Sequence, residues 1–358
     1  MNRVPPDLGL DPIFADLVIA EDRCNLSCAY CLTATATPMH TAPAGRRLDL
    51  SPRGDRGGRV LRTIARLARQ GVATLKISGG EVLMHAGAMD VVMAAAALFE
   101  RVVVLTNGMF LTAANRARLR RIPNLVLQVS LDSVVPEGNV HRIPSARTHA
   151  KVLARIDEAF ATGIRGEVYA VVNDRSAPHL AATVRHFAAA EGVRVLPFPV
   201  RGVGRLEFMA NDIGGVREML AMAPDHAGTL PHPAYLEDLV AFHEAGGRRL
   251  RCGLPRVAFS AFDDGTVGDC PNIWFERHDP GTETVTEVVG RSRLRPLLLA
   301  GRPRLEACRA CLTPWDIVNL YLDGRVPLEA VAALPSLSGR RTLERLAAIG
   351  AVEETSRA

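Results

Sequence analysis

Cys24-Asn25-Leu26-Ser27-Cys28-Ala29-Tyr30-Cys31 sets three thiols in one short loop, three residues after the β-rich run Ala15–Ala20. A loop of this length can wrap one centre and present three sulfurs to it. Three protein ligands on a [4Fe–4S] cube leave one iron open to a small molecule. A fourth ligand from elsewhere in the chain would instead close a zinc tetrahedron. Spacing alone leaves both open. The remaining cysteines, Cys252, Cys270, Cys308 and Cys311, follow more than two hundred residues later. An odd total of seven, with no basic-then-apolar signal pattern at Met1–Leu8, argues against a disulfide framework and for metal or redox chemistry.

The sequence around the loop alternates β-rich runs with helical ones. The periodicity predicts strands at 15–20, 74–78, 101–105, 125–130, 167–172 and 193–198, and helices near 51–70, 88–100, 112–121, 146–162 and 177–191. Ser51 before Pro52, and Thr112 before an alanine-rich turn, read as helix caps. Strands alternating with helices imply parallel βα units, and six of them suit a partial (β/α)6 TIM-like barrel better than a closed eight-stranded one. Chemistry in such barrels gathers at the C-terminal strand ends. The cysteine loop, Gly79-Gly80-Glu81, Thr106-Asn107-Gly108, Ser130-Leu131-Asp132 and Asn173 all fall there. Expected boundaries are an N-terminal segment 1–14, the barrel 15–200, a bridging region 201–250, a small cysteine-bearing domain 251–315 and a helical tail 316–358. The small domain includes a hairpin turning at Asp263-Asp264-Gly265. The polar segment 33–49 reads as a lid or a surface loop.

Composition narrows the partners. At 358 residues, 48% hydrophobic and 23% charged, the chain reads as globular, and no apolar run reaches the roughly 18 residues of a membrane span. The expectation is a cytoplasmic protein with no membrane partner. Of the 43 basic residues only Lys76 and Lys151 are lysines, and the arginines are scattered over helix faces rather than clustered with aromatics. That distribution argues against nucleic acid as a partner.

The spacing of Cys24, Cys28 and Cys31, with Tyr30 before the last, resembles the signature of the radical S-adenosylmethionine (radical SAM) superfamily. Gly79-Gly80-Glu81, Thr106-Asn107-Gly108 and Ser130-Leu131-Asp132-Ser133 resemble its motifs over roughly residues 15–200. The resemblance implies a [4Fe–4S] cluster on the three cysteines and SAM on its open iron. It implies SAM's ammonium at the carbonyls of Gly79 and Gly80, whose lack of side chains permits close approach, with Glu81 reinforcing that contact. It places Thr106 and Ser130 at SAM's ribose or carboxylate, Tyr30 beside the adenine, and Asn173 as a further ribose candidate. The implied chemistry is one-electron cleavage of SAM to a 5′-deoxyadenosyl radical, which removes a substrate hydrogen atom.

Cys252, the hairpin with Gly265, Cys270, and the Cys308/Cys311 pair resemble the SPASM and twitch extensions of radical SAM enzymes. Four cysteines fit a single, twitch-like auxiliary [4Fe–4S] cluster, with structural zinc as the alternative. Trp315 then packs against that cluster. The two groups account for all seven cysteines, leaving no thiol to return a hydrogen atom, so net oxidation of the substrate is expected. Arg142 (beside His141), Arg201 and Arg205 are candidate substrate residues. The resemblance implies a reducing donor such as flavodoxin or ferredoxin.

Two substrate classes follow from the resemblance: a ribosomally made peptide that is cross-linked or dehydrogenated, or a sugar, aminocyclitol or nucleotide-like molecule. GTP cyclisation is disfavoured because the chain ends Thr355-Ser356-Arg357-Ala358 rather than in paired glycines. A non-catalytic iron–sulfur or zinc redox sensor is the reading of a different class, and the Gly79–Glu81 motif counts against it. The tail resembles part of a winged-helix peptide-recognition module without its strands, and a helical cap on the small domain is the expectation there.

Overall fold

A computed structural model describes residues 9–32, 47–201 and 206–357. Six parallel strands appear where the alternation predicted them: β1 (Phe14–Ile19), β2 (Thr74–Gly79), β3 (Arg101–Thr106), β4 (Leu125–Ser130), β5 (Gly166–Val172) and β6 (Val193–Pro199). The helices between them are α1 (Asp55–Arg69), α2 (Ala88–Ala96), α3 (Ala113–Leu119), α4 (Ala146–Ala161) and α5 (Leu180–Phe187). Strand residues are nearly all buried because helices cover one face and the barrel interior the other. Thr112 caps α3, accepting from the Asn115 amide at 3.3 Å. Ser51 does not cap α1: the helix starts later, behind Gly54, because Ser51-Pro52 lie in a turn in which the Ser51 amide donates to Asp49.

The sheet is larger than expected. Its order is β6-β5-β4-β3-β2-β1-β7-β8, with β7 (Ala258–Phe262) pairing parallel with β1 from Phe14↔Ala258 onward. β7 and β8 (Val267–Gly268) form the hairpin anticipated at residues 263–265, so the cysteine-bearing segment adds a seventh parallel strand to the barrel sheet. The architecture is a partial TIM-like barrel followed by helices. α6 (Gly214–Met222) and α7 (Pro233–Ala245) follow β6, and three short helices follow β8: α8 (Val285–Gly290), α9 (Arg295–Leu298) and α10 (Glu306–Arg309).

The tail is helical as predicted, with α11 (Asp316–Leu322), α12 (Leu328–Ala332) and α13 (Arg340–Arg357). It meets the small domain through Asn319, whose Oδ1 accepts from the Gly253 amide at 2.7 Å, and it also reaches the barrel. The Ser336 amide donates to Glu167 at the start of β5 (2.7 Å), and the Thr342 hydroxyl meets that of Thr74 at the start of β2 (3.2 Å). Arg101, opening β3, reaches the Ser338 hydroxyl at 3.1 Å. The tail therefore closes the N-terminal end of the barrel and leaves the C-terminal rim open.

Candidate functional site

The cysteine loop leaves β1 through Ala20, whose φ of +50° is the one left-handed conformation of a non-glycine among the described residues. Such backbone persists where its surroundings over-determine it. Here the Ala20 amide donates to Asp263 Oδ2 (2.8 Å), and Arg56 Nε holds the same carboxylate at 2.7 Å. Asp263 was legible only as a turn residue; it anchors the corner from which the three thiols are presented. The Ala29 amide donates to the His141 carbonyl at 2.9 Å, tying the far side of the loop to the segment after β4.

Gly79 and Gly80 line the same cavity as the three thiols, and they do more than admit a ligand. Gly79 has φ +124°, and a Cβ there would lie 2.0 Å from the Ile19 carbonyl oxygen. At Gly80 a Cβ would lie 1.8 Å from the Arg23 carbonyl oxygen. The two glycines thus let the end of β2 press against the backbone entering the cysteine loop. Glu81 is buried and accepts from the Asn107 amide (2.7 Å), the Thr106 hydroxyl (2.9 Å) and the Leu83 amide (3.1 Å). It straps the ends of β2 and β3 together. Burial pushes its carboxyl up to about 7, against those three donors. The Thr106 hydroxyl is spent on this strap, while Ser130 lines the cavity from the end of β4.

Tyr30 is buried and its hydroxyl donates to Asp132, a residue the sequence reading quoted but gave no task. Asp132 also takes Arg142 Nη2 at 3.0 Å, and Arg142 Nη1 points at Cys28 Sγ at 3.8 Å. Arg142 was expected to hold a substrate carboxylate; its charge is already answered by a fully buried aspartate. Asn107 Nδ2 lies 3.8 Å from Cys24 Sγ, and the Leu26 amide 3.5 Å. Burial pushes the Cys24 thiol up to about 11 and Cys28 to about 12. Half-buried thiols with raised pKa values are ill suited to free thiolate chemistry. They fit an iron–sulfur centre, where the metal enforces deprotonation and the donors stabilise the sulfur charge.

The cavity, of about 160 Å³, opens among the C-terminal strand ends. It collects Cys24, Cys28, Cys31, Tyr30, Gly79, Gly80, Glu81, Thr106, Ser130, Arg142 and Arg201. Asn173 is not brought there. It is fully buried beneath the turn after β5, where its Oδ1 accepts the amides of Arg175 and Ser176, both at 2.9 Å. A side chain shaped to cap that turn is not free for a ribose. Arg205 and most of the 33–49 segment lie outside the described residues.

The second cysteine group adjoins this cavity through Pro271 and Asn272, which line it. Cys270 and Cys308 share an apolar cluster with Ile273 and Leu298, and the charges of Cys252, Cys311 and Cys308 all bear on Cys270. Arg248, nearly buried, pairs with Asp316 and donates to the Cys311 carbonyl at 2.7 Å. Asn319 Nδ2 reaches Cys252 Sγ at 3.6 Å. Two residues past Cys270, Asn272 lines the main cavity and accepts from Arg201. Trp315, expected to pack against the second cluster, has its ring 5.3 Å from that of Phe14 and under the Lys76 ammonium at 5.6 Å.

Residues 18–175 match the Radical SAM superfamily, which makes this segment a radical SAM domain. Such a domain implies a [4Fe–4S] cluster and SAM. Among known proteins, the chain is 31% identical over 133 residues to the GTP 3′,8-cyclase of Limosilactobacillus fermentum, covering 34% of this chain and 37% of that one. It is 27% identical over 113 residues to the sporulation killing factor maturation protein SkfB of Bacillus subtilis, covering 32% and 25%. In fold it is similar to Streptococcus suis SuiB bound to S-adenosylmethionine, with a TM-score of 0.61 at 13% identity, covering 84% of this chain and 70% of that one. The sequence matches span well under half the length of these curated relatives. No helix among the described residues is long and apolar enough to cross a membrane.

Proposed function

We propose that this radical SAM enzyme oxidatively modifies a ribosomally made peptide, by cross-linking or dehydrogenation, in natural-product maturation. In this reading Cys24, Cys28 and Cys31 hold the SAM-binding cluster, and Cys252, Cys270, Cys308 and Cys311 an auxiliary one. When bound, the first cluster and SAM supply reductive cleavage to a 5′-deoxyadenosyl radical. The protein's own work is arrangement. Gly79 and Gly80 hold the cysteine loop against β2 and offer backbone to SAM's ammonium. Glu81 fixes the neighbouring rim and adds negative charge, Ser130 contacts the cofactor from β4, and Tyr30, locked by Asp132, borders the adenine. Arg142 steadies the sulfur charge of Cys28.

The observation that carries the peptide over a nucleotide is the charge balance of the cavity. Arg142 is neutralised by Asp132 and Lys76 by Asp16. Among the described lining residues this leaves Arg201 as the cation without a carboxylate partner. A triphosphate, carrying about four negative charges, would enter a low-dielectric pocket without matching cations. Similarity to GTP 3′,8-cyclases covers about a third of the chain and is consistent with shared cofactor chemistry; a peptide-maturing relative matches over a similar length. A sugar, aminocyclitol or nucleotide-like substrate is the second reading.

Reduced thiols fit a cytoplasmic site, with flavodoxin or ferredoxin as donor. The test is product mass after turnover in deuterated water with a short precursor peptide sought among the neighbouring genes. A product lighter by two hydrogens supports oxidation; an unchanged formula with one solvent deuterium on carbon shows epimerisation and refutes it.

A further inference from the structure

Three charged groups on one wall of the cavity have no part in holding the cysteine loop. Lys76 on β2 and Asp16 on β1 face each other inside the barrel, Nζ 3.8 Å from Oδ2, and both line the cavity. The ammonium is also fixed over the rings of Tyr169 (5.0 Å) and Trp315 (5.6 Å). Asp16 takes the Ser78 hydroxyl as well. Arg201, just past β6, lies over the Phe198 ring at 5.0 Å and donates to the neutral Asn272. Its charge reaches both Asp16 and Lys76.

Two cations and one carboxylate leave this wall with one positive charge in excess. Elsewhere in the cavity Arg142 is balanced by Asp132, and the Glu81 carboxylate, held by its three donors, is answered by the SAM ammonium in the function proposed above. An uncompensated charge in such a place is unfavourable unless a ligand answers it. A ligand with one negative charge fits that deficit; a polyphosphate exceeds it. The guanidinium fork of Arg201 also matches the two oxygens of a carboxylate.

We propose that Arg201 and Lys76 form a subsite for a single carboxylate of the substrate, which makes the substrate an acidic peptide segment. This rests on the peptide reading above. The carboxylate belongs either to an acidic side chain or to a chain terminus, and the probes separate the two.

The test uses the fact that the chain has only two lysines. Lys151, exposed on α4, is the internal reference. The reconstituted protein is reductively methylated under anaerobic conditions and both lysines are followed by mass spectrometry. The probes are N-acetylglutamate N-methylamide, its glutamine counterpart, N-acetylalanine and GTP. The glutamate compound, N-acetylalanine or both should slow methylation of Lys76 about fivefold without affecting Lys151, and Arg201→Gln should remove that protection. Protection by glutamate alone assigns a side chain, and by N-acetylalanine alone a terminus. Equal protection by the glutamine compound, protection by GTP or by SAM alone, or protection undiminished in Arg201→Gln would overturn the proposal. If the reagent fails to reach Lys76, saturation-transfer NMR on the same compounds decides: a carboxylate-dependent signal lost in Arg201→Gln supports the subsite, and its absence or persistence refutes it. SAM cleavage by the wild-type protein is assayed separately, so failure of the subsite is distinguishable from failure of the underlying reading.

Discussion

Arg142 and Asp132 form a buried ion pair, Nη2 to Oδ1 3.0 Å, that joins Cys28 to Tyr30. Removing one partner of such a pair strands a charge in the interior, whereas replacing both with apolar groups is far milder. Asp132→Asn is therefore expected to lower stability by about 3 kcal/mol, and Asp132→Leu combined with Arg142→Met to recover most of it. Urea denaturation of the two variants beside wild type measures this. Equal loss in both would show that the charge pair is not what matters there.

Gly80→Ala places a methyl against the backbone carbonyl of Arg23, a contact no side-chain rotation relieves. The cysteine loop must move. Iron bound by the first cysteine group should fall by more than half, while a Gly163→Ala control, with open space around its Cβ, changes stability by about 1 kcal/mol and leaves iron content intact. Iron analysis after anaerobic reconstitution distinguishes them.

Glu81 gives the site a pH dependence. Its folded pKa of about 7 lies above the ordinary 4.5, so the folded state binds the proton more tightly than the unfolded one. Its contribution to stability is then fully present below about pH 4.5 and is lost as pH rises through about 7. SAM's ammonium calls for the opposite, ionised form. SAM affinity of the reconstituted enzyme should accordingly rise about tenfold between pH 6 and pH 8, and Glu81→Gln should flatten that rise. Calorimetric titration at the two pH values is the measurement; a flat wild-type profile would remove Glu81 from SAM recognition.

The second cysteine group is expected to hold its own cluster. Cys308→Ala with Cys311→Ala should reduce reconstituted iron from about eight to about four per chain. Zinc in place of that loss, with no change in iron, would make the group structural.

The strand positions were readable because a parallel barrel repeats one local pattern, and the strand ends placed the cysteine loop, Gly79–Glu81, Thr106 and Ser130 on one rim. What the sequence hid was long-range. β7 pairs with β1 across more than two hundred residues, and nothing in Ala258–Phe262 distinguishes a barrel strand from a free hairpin. Asp263 holds Ala20 from that same distance. Asn173 was misplaced because a strand-end asparagine serves a ribose or its own turn equally well, and only the amides of Arg175 and Ser176 decide. Asp132 carried a signal that went unused: an aspartate ten residues before Arg142, both beside one rim.

The most direct test of the account is 5′-deoxyadenosine formation from SAM by the anaerobically reconstituted protein with dithionite as reductant. The wild-type chain should produce it, and replacing Cys24, Cys28 and Cys31 together by alanine should abolish it while leaving about four iron bound at the second group. SAM cleavage that persists in the triple variant would contradict the assignment of the first cysteine loop as the catalytic centre.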